Sequence, residues 1–326
     1  MDTPQERVCY NSNVNVTPLN AANNNDSMNS SIEIVEVSPR DGIQNEKKII
    51  STDAKLELIR LAVAAGAPRI EVTSFVNPKL VPQMADADEV AARLPKNDNV
   101  SYIGLALNKR GYERVVSAGL HEANIVVTAS DTFGKRNQGT DTDGTIRNFT
   151  EIMSNASADL KTGVSITTAF GCPFDGEVPL SRLLDTVSRC AEAEPFEIGI
   201  ADTIGVATPA DVAKRVDAIR QICPDIPLRL HFHDTRNTGI ANAWAAVQAG
   251  ATTLDSSFGG TGGCPFAPRA TGNICTEDLL YMLHRSKVDT GMSLTRSIEA
   301  AQFIEQELEK TVPGMVMKAG IFPPGD

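Results

Sequence analysis

The sequence lacks any long apolar run and any excess of basic residues. No run approaches the ~20 apolar residues of a membrane-spanning helix, and residues 1–4 (MDTP) lack the basic and apolar regions of a secretory signal. Lys and Arg total 30 against 41 Asp and Glu, which gives a formal net charge of -11. A general nucleic-acid-binding protein needs a basic face, so we expect neither a nucleic-acid nor a membrane partner. A net-acidic protein can still bind a polyanion through a local basic patch.

Cysteine is also scarce, with six residues in a chain of 326 and no CxxC pair. This usage does not indicate a disulfide-stabilised scaffold, and a reducing compartment is the simpler interpretation. We therefore expect a cytoplasmic protein. The cysteines are Cys9, Cys172, Cys190, Cys223, Cys264 and Cys275.

Beyond residue 31, short β-branched runs alternate with longer stretches of helical periodicity. Eight such runs with intervening helices imply parallel pairing. About 250 residues is the usual size of a (β/α)8 barrel, so we predict an α/β protein with a closed TIM barrel rather than an open doubly wound sheet. The predicted strands are Ile32–Pro39, Arg69–Phe75, Val100–Leu107, Glu122–Ser130, Val164–Phe170, Phe196–Asp202, Leu228–Asp234 and Thr252–Phe258.

Helix signals and composition divide the chain. Asp53–Gly66 has apolar residues at helical spacing and a glycine C-cap, and Thr208-Pro209 opens a helix that runs to Ile222. A last helix, about Leu294–Lys310, lies beyond the eighth unit.

Eight Asn lie between Asn11 and Asn29, so that segment cannot bury enough surface to offset its ordering entropy. We predict a mobile tail over 1–30, the barrel as catalytic domain over 31–290 and a C-terminal helical extension over 291–326.

The clearest chemical signal is the string HFHD at residues 231–234, at the end of the seventh predicted strand. Residues i and i+2 of a strand share a face, so the imidazoles of His231 and His233 point the same way, opposite to Leu230 and Phe232. Barrels of this kind build their sites at the carboxyl ends of the strands, where two inward imidazoles make a good metal pair. A lone H-x-H also occurs in structural histidines, so the interpretation depends on other strand ends.

Other predicted strand ends supply further polar groups. Arg40 and Asp41 close strand one, Glu71 lies in strand two and Asp202 closes strand six. Asn273 follows the glycine-rich loop after strand eight. Carboxylate, imidazole and amide ligands together favour Mg²⁺ or Mn²⁺, although Co²⁺ or Zn²⁺ could also bind. Considered alone, Glu71 or Asp202 could instead be a buried carboxylate paired with a neighbouring Arg or Lys.

The glycine-rich segment 259–263 carries Cys264 directly after it. Four glycines in five positions allow positive φ and a close approach of the backbone to a ligand. No Gly-Lys-Ser/Thr follows, which excludes a Walker phosphate loop. A thiol on such a loop could reach a reacting carbon when the loop closes; the alternative is a tight turn with a structural cysteine.

Several motifs in register resemble the hydroxymethylglutaryl-CoA lyase family. The string EVSPRDGIQNE at residues 36–46 is similar to the family's first-strand signature, and the resemblance extends from Ile32 to Ser286. The other motifs, in the family's order, are DTIG at 202–205, HFHDT at 231–235, GGCP at 262–265 and TGN at 271–273.

The resemblance implies a TIM-barrel metallolyase, usually dimeric, that splits 3-hydroxy-3-methylglutaryl-CoA into acetyl-CoA and acetoacetate without a redox cofactor. It implies that Arg40 stabilises the enolate oxygen and that Cys264 is the catalytic thiol of a mobile loop. Two acids then support the site, Glu71 and Asp202. The implied metal ligands are Asp41, His231, His233 and Asn273.

The chemistry of a retro-aldol cleavage accounts for these residue types. The tertiary alcohol needs a base for its proton, and metal coordination makes that proton more acidic. The thioester enolate develops charge only in the transition state, and an arginine beside it stabilises that charge without losing its own proton. Asp41 or His231 could accept the hydroxyl proton, and His231 or Cys264 could protonate the enolate carbon.

Departures from the family pattern leave the acyl group open. Residues 236–238 (RNT) replace the usual Tyr-Gly-Gln after the second His, and Gly199 stands where Ser is frequent. The alternative substrate is therefore citramalyl-CoA or a longer branched 3-hydroxyglutaryl-CoA. A Claisen-type synthase of the same barrel superfamily is less favoured, and a non-catalytic barrel would show no metal dependence.

Lys47 and Lys48 are candidate contacts for coenzyme A phosphates, although a basic pair is more often simply solvated.

Overall fold

A computed structural model of the chain describes residues 31–263 and 272–323. In these residues eight parallel strands close into a barrel, and the first strand pairs with the last to complete the ring. The predicted TIM barrel is therefore confirmed. The barrel strands are β1 (Glu33–Glu36), β2 (Arg69–Ser74), β3 (Ser101–Ala106), β4 (Glu122–Thr128), β5 (Lys161–Thr167), β8 (Ile198–Asp202), β9 (Leu228–Phe232) and β10 (Thr253–Ser256). A separate antiparallel hairpin follows β5 and consists of β6 (Gly171–Cys172) and β7 (Gly176–Glu177).

Helices connect the strands around the outside of the barrel. They are α1 (Thr52–Ala65), α2 (Ala87–Ala92), α3 (Lys109–Ser117), α4 (Asp131–Asn137), α5 (Thr142–Met153), α6 (Leu180–Ala191), α7 (Pro209–Ile222), α8 (Gly239–Gln248), α9 (Thr276–Arg285), α10 (Leu294–Leu308) and α11 (Val316–Ala319). Within the described ranges, no helix has both the length and the apolar character needed to cross a membrane.

Local sequence signals explain where the helices begin and end. The Ser51 side chain accepts a hydrogen bond from the backbone N–H of Ala54 at the start of α1, and Gly66 ends that helix with a left-handed φ of 87°. Thr208 and Asp211 form a reciprocal capping box at the start of α7. The predicted boundaries of these two helices agree with the structure to within about one residue.

The apolar core lies between the strands and the helices, whereas much of the barrel interior is charged. Outward-facing strand residues such as Ile34 and Leu230 belong to the main buried cluster. A small separate cluster lies inside the barrel and consists of Val35, Val37 and Ile103. Other interior positions carry buried charges, among them Glu71 and Arg229. Each buried charge inside the barrel therefore needs a partner of opposite charge.

Strand one ends earlier than the sequence predicts, and this difference shapes the barrel mouth. β1 ends at Glu36 rather than Pro39, because residues Ser38–Gly42 form one π-helical turn in which the N–H groups of Arg40 and Gly42 both donate to Val37 O. Pro39 has no N–H to extend the ladder. The wide turn carries Asp41 into the mouth.

The last helices close the gap between the end and the start of the barrel. α10 packs along α1, and Ser293 N donates to Ala65 O at 2.8 Å while Arg296 Nη1 donates to Ala64 O at 2.9 Å. A helix beyond the eighth unit was expected from the sequence and is present. The predicted tail 1–30 lies outside the described residues, and the domain limits at 31 and 290 stay a prediction.

Candidate metal centre at the barrel mouth

Three of the candidate residues lie together at the carboxyl ends of the strands. One oxygen of Asp41 and one nitrogen each of His231 and His233 lie within 4.8 Å of one another. The two Nε2 atoms lie 4.0 and 3.9 Å from Asp41 Oδ2. Such a group of one carboxylate and two imidazoles could hold one metal ion.

Asn273 joins this group through an antiparallel bridge to His233. Its Nδ2 donates to Asp41 Oδ2 at 2.7 Å and to Thr261 O at 3.0 Å. Its Oδ1 and the Nδ1 of His233 are buried and have no hydrogen-bond partner among the described residues. A buried amide oxygen without a partner is costly, and it is a ligand that hard divalent cations accept. Asp41, His231, His233 and Asn273 therefore fit a divalent metal.

Arg40 lies at the edge of this group and is buried. Its Nη1 donates to Asp41 Oδ1 at 2.6 Å, and its Nε donates to Glu71. Burial disfavours the charged guanidinium, but the charges of Glu71 and Asp41 raise the pKa of Arg40. Burial likewise disfavours the Asp41 anion, but Arg40 and the two histidines lower the pKa of Asp41. The mouth thus holds a fixed cation beside a fixed anion.

The two supporting acids have different partners. Glu71 is fully buried and pairs with two arginines, Arg40 and Arg229. Asp202 instead accepts hydrogen bonds from the backbone N–H groups of Val206 and Ala207, at 2.9 Å each, and burial raises its pKa. Glu71 therefore acts on the guanidinium at the mouth, whereas Asp202 fixes the loop that follows β8.

Three buried polar residues lie beneath the candidate metal ligands and were not predicted from the sequence, namely Asp255, Arg229 and Asn124. Asp255 Oδ2 lies 2.9 Å from Nδ1 of His231. A carboxylate accepts hydrogen bonds, so Nδ1 carries the proton and Nε2 faces Asp41. The sequence holds a signal for Arg229, which precedes His231 by two residues and so shares its face of the strand.

The two imidazoles have opposite pKa shifts. Burial acts against the charged form of both, but the hydrogen bond and charge of Asp255 raise the pKa of His231. His233 has no such partner among the described residues, and burial together with the charge of His231 lowers its pKa to about 4. His233 is therefore neutral at pH 7, as a metal ligand must be.

The remaining predicted residues are one cysteine and two lysines. Cys264 lies outside the described residues. Lys47 is exposed, and Lys48 Nζ donates to Glu309 Oε1 at 2.8 Å, in an ion pair open to solvent. The contact of these lysines with coenzyme A stays a prediction.

Comparisons with known proteins point to one family. The sequence matches the HMGL-like family model over residues 31–304. It is 41% identical over 304 residues to the (R)-citramalyl-CoA lyase of Chloroflexus aurantiacus, covering 90% of this chain and 96% of that protein. It is 39% identical over 289 residues to the mitochondrial hydroxymethylglutaryl-CoA lyase of Homo sapiens, covering 88% and 89%. The fold is similar to that of an HMG-CoA lyase from Acinetobacter baumannii in complex with coenzyme A and 3-methylmalate, with a TM-score of 0.88, 35% identity and coverage of 92% and 99%.

Proposed function

The chain belongs to the HMGL-like family of carbon–carbon lyases, and from that premise we propose that it cleaves a tertiary 3-hydroxyacyl-CoA. The first candidate substrate is 3-hydroxy-3-methylglutaryl-CoA, with acetyl-CoA and acetoacetate as products. One observation carries the proposal: Asp41, His231 and His233 lie within 4.8 Å of one another, and Asn273, which donates through Nδ2 to Asp41 and bridges to His233, has a buried Oδ1 without a partner among the described residues. We assign these four residues as ligands of Mg²⁺ or Mn²⁺.

Side chains of this chain carry out the proton transfers and stabilise the enolate. A bound divalent metal would lower the pKa of the substrate hydroxyl. Asp41 takes that proton, because the Nδ1 proton of His231 is held by Asp255 and its Nε2 is assigned to the metal. The carbon–carbon bond then breaks, and its electron pair passes to the thioester fragment as an enolate. Arg40 stabilises the enolate oxygen. Cys264 then gives a proton to the enolate carbon and regains one from solvent, while the other fragment leaves as a ketone.

Citramalyl-CoA is a second candidate substrate, because Gly199 alters the barrel interior. Gly199 lies in β8, and a Cβ added there would lie 2.9 Å from the Ser165 Oγ. Glycine stands here where the family frequently carries serine, and the Ser165 hydroxyl leaves little room for a larger side chain. The relative from Chloroflexus aurantiacus is named for citramalyl-CoA, which supports the comparison.

The test is a parallel cleavage assay of 3-hydroxy-3-methylglutaryl-CoA, citramalyl-CoA and one longer branched analogue. Metal-free protein is compared with protein supplied with Mn²⁺ or Mg²⁺. We expect metal-dependent release of acetoacetate from the first substrate. Faster release of pyruvate from citramalyl-CoA would assign the second candidate, and faster cleavage of the analogue would assign a longer acyl group. Free CoA formed from acetyl-CoA and a keto acid would indicate the synthase, and no activity with metal present would refute the proposal.

We further propose that the protein is a cytoplasmic homodimer. The dimer is supported by the resemblance to a usually dimeric family, and the reducing compartment by the free thiols of the described cysteines, which are Cys172, Cys190, Cys223 and Cys275. Light scattering coupled to size-exclusion chromatography should give twice the mass of one chain, and a mass of one chain would contradict the dimer.

A further inference from the structure

We propose that Arg229 is a positioning residue for the reaction, because it holds the two carboxylates that in turn hold His231 and Arg40. The inference rests on the proposed function, and it adds a residue that the family motifs of this chain do not include. Arg229 lies in β9, two residues before His231, and is 3% exposed.

The first branch runs through Asp255. Arg229 Nε donates to Asp255 Oδ1, and the other oxygen of the same carboxylate lies 2.9 Å from His231 Nδ1. One carboxylate therefore joins the two side chains. Because the guanidinium fixes one oxygen, the second oxygen is held in place for the imidazole. This contact sets which nitrogen of His231 faces Asp41.

The second branch runs through Glu71. Arg229 Nη2 lies 3.5 Å from Glu71 Oε2, and Asn124 Nδ2 donates to the same oxygen at 2.9 Å. The other oxygen of Glu71 accepts the hydrogen bond of Arg40. The guanidinium of Arg229 therefore contacts both Glu71, which binds Arg40, and Asp255, which binds His231. Both reactive groups at the mouth depend on one buried cation beneath them.

Charge explains why this position needs an arginine. Three carboxylates face its guanidinium: Asp255, Glu71 and, with an oxygen at 3.9 Å, Glu197. Without a cation among them, Asp255 and Glu71 would be buried anions whose mutual repulsion water cannot screen. The planar fork of an arginine can serve two carboxylates at fixed angles, whereas a lysine offers a single point charge.

Arg69 offers a matched control inside the same barrel. It is 5% exposed and pairs with Glu122 and Glu197. Glu197 also lies 3.9 Å from Arg229, but neither acid has a hydrogen bond to a candidate ligand among the contacts of the described residues. If a buried arginine mattered only for folding, substitution of Arg69 or Arg229 would have the same consequences. If Arg229 positions the mouth, the two substitutions should differ.

The experiment measures Mn²⁺ affinity of the metal-free protein by electron paramagnetic resonance, together with kcat and KM for the best acyl-CoA substrate. The variants are Arg229→Met, Arg229→Lys, Arg69→Met and Arg69→Lys. We expect Arg229→Met to weaken Mn²⁺ binding by about tenfold or more and to lower kcat by about a hundredfold. We expect KM to stay within about threefold, because no substrate contact is removed. Arg229→Lys should restore part of the loss, and the Arg69 variants should bind Mn²⁺ as the wild type does.

Wild-type Mn²⁺ affinity and kcat in the Arg229 variants would overturn the inference, as would an equal loss in the Arg69 variants. If either Met variant fails to fold, the two Lys variants make the same comparison. Mn²⁺ binding is measured without substrate, so this result stands apart from the proposed function. A wild-type protein that binds Mn²⁺ but cleaves none of the acyl-CoA substrates would refute that function alone.

Discussion

The two ends of the barrel interior are both charged, but they differ in how completely their charges are paired. At the amino-terminal end of the strands, all three guanidinium nitrogens of Arg69 donate to carboxylates, chiefly those of Glu122 and Glu197. At the carboxyl end, Asn273 Oδ1 and His233 Nδ1 have no hydrogen-bond partner in the part of the chain that the structure describes. A saturated ion cluster stabilises a fold, whereas buried atoms without partners mark the place where a ligand binds.

The substitution Arg40→Met should have the largest effect, and it falls on catalysis. The cation beside the enolate oxygen would be lost, so kcat should fall by about 10³-fold. Glu71 would keep Asn124 and Arg229 as partners, so the loss of stability should be smaller than at Arg69. Steady-state kinetics and thermal unfolding measure the two quantities. Near-normal turnover would contradict the enolate role.

The substitution Arg69→Met should have the next largest effect, and it falls on stability. It leaves two buried carboxylates, Glu122 and Glu197, without their main cation, which typically costs about 3–5 kcal/mol. Urea unfolding of the metal-free protein measures the loss. The kcat of the folded fraction should be unchanged. A reduced kcat in that fraction would contradict the proposal that the amino-terminal end of the barrel serves stability alone.

The substitution Glu277→Gln tests an unpaired acid near the mouth. Glu277 Oε2 accepts from Gly259 N at 3.1 Å, whereas Oε1 has no partner among the residues described. Burial raises the pKa of Glu277 from 4.5 to about 8. The folded chain therefore keeps a proton that the unfolded chain releases, so stability should fall as the pH rises from about 5 through about 8.

Gln is neutral throughout this range, so the variant should lack this fall. Between pH 6 and pH 9 the wild type should lose up to about 3 kcal/mol more stability than the variant. Urea unfolding of metal-free protein at pH 6 and pH 9 measures the difference. An identical pH dependence in the wild type and the variant would show that this carboxyl does not titrate with folding.

The substitution Lys48→Ala should have the smallest effect. If Lys48 contacts a phosphate of coenzyme A, its loss should raise KM about threefold and leave kcat unchanged. Glu309→Ala is the matched control, since it breaks the same exposed ion pair and keeps the lysine. Equal KM values for both variants would remove Lys48 from the binding site.

Strand ends were predictable from the sequence, but the contacts beneath them were not. Parallel strands share one carboxyl edge, so the convergence of Asp41, His231 and Asn273 follows once eight strands alternate with helices. The contact between Asp255 and His231 depends instead on the register of β10 against β9, which no local pattern encodes. Arg229 occupies an interior position where barrels usually carry branched apolar side chains, so its charge has no explanation until its partners are known.

The early end of β1 has a similar cause. The run that begins at Ile32 continues in sequence through Pro39. Pro39 is a local signal against a continued strand, but no local pattern indicates the π-helical turn that starts at Ser38. The turn is held from below by Glu36, whose carboxylate accepts from the N–H groups of Ser38 and Phe258. Phe258 lies at the opposite end of the barrel sequence, so the turn forms only when the ring is closed.

The pairing of β1 with β10 has a consequence for how the protein is made. During synthesis, β1 and the turn that carries Asp41 leave the ribosome before His231, His233 and Asn273. Until then the nascent chain exposes an unpaired parallel edge that can associate with other chains. Slow codons placed before β10 prolong this exposure and should therefore lower the yield of native protein.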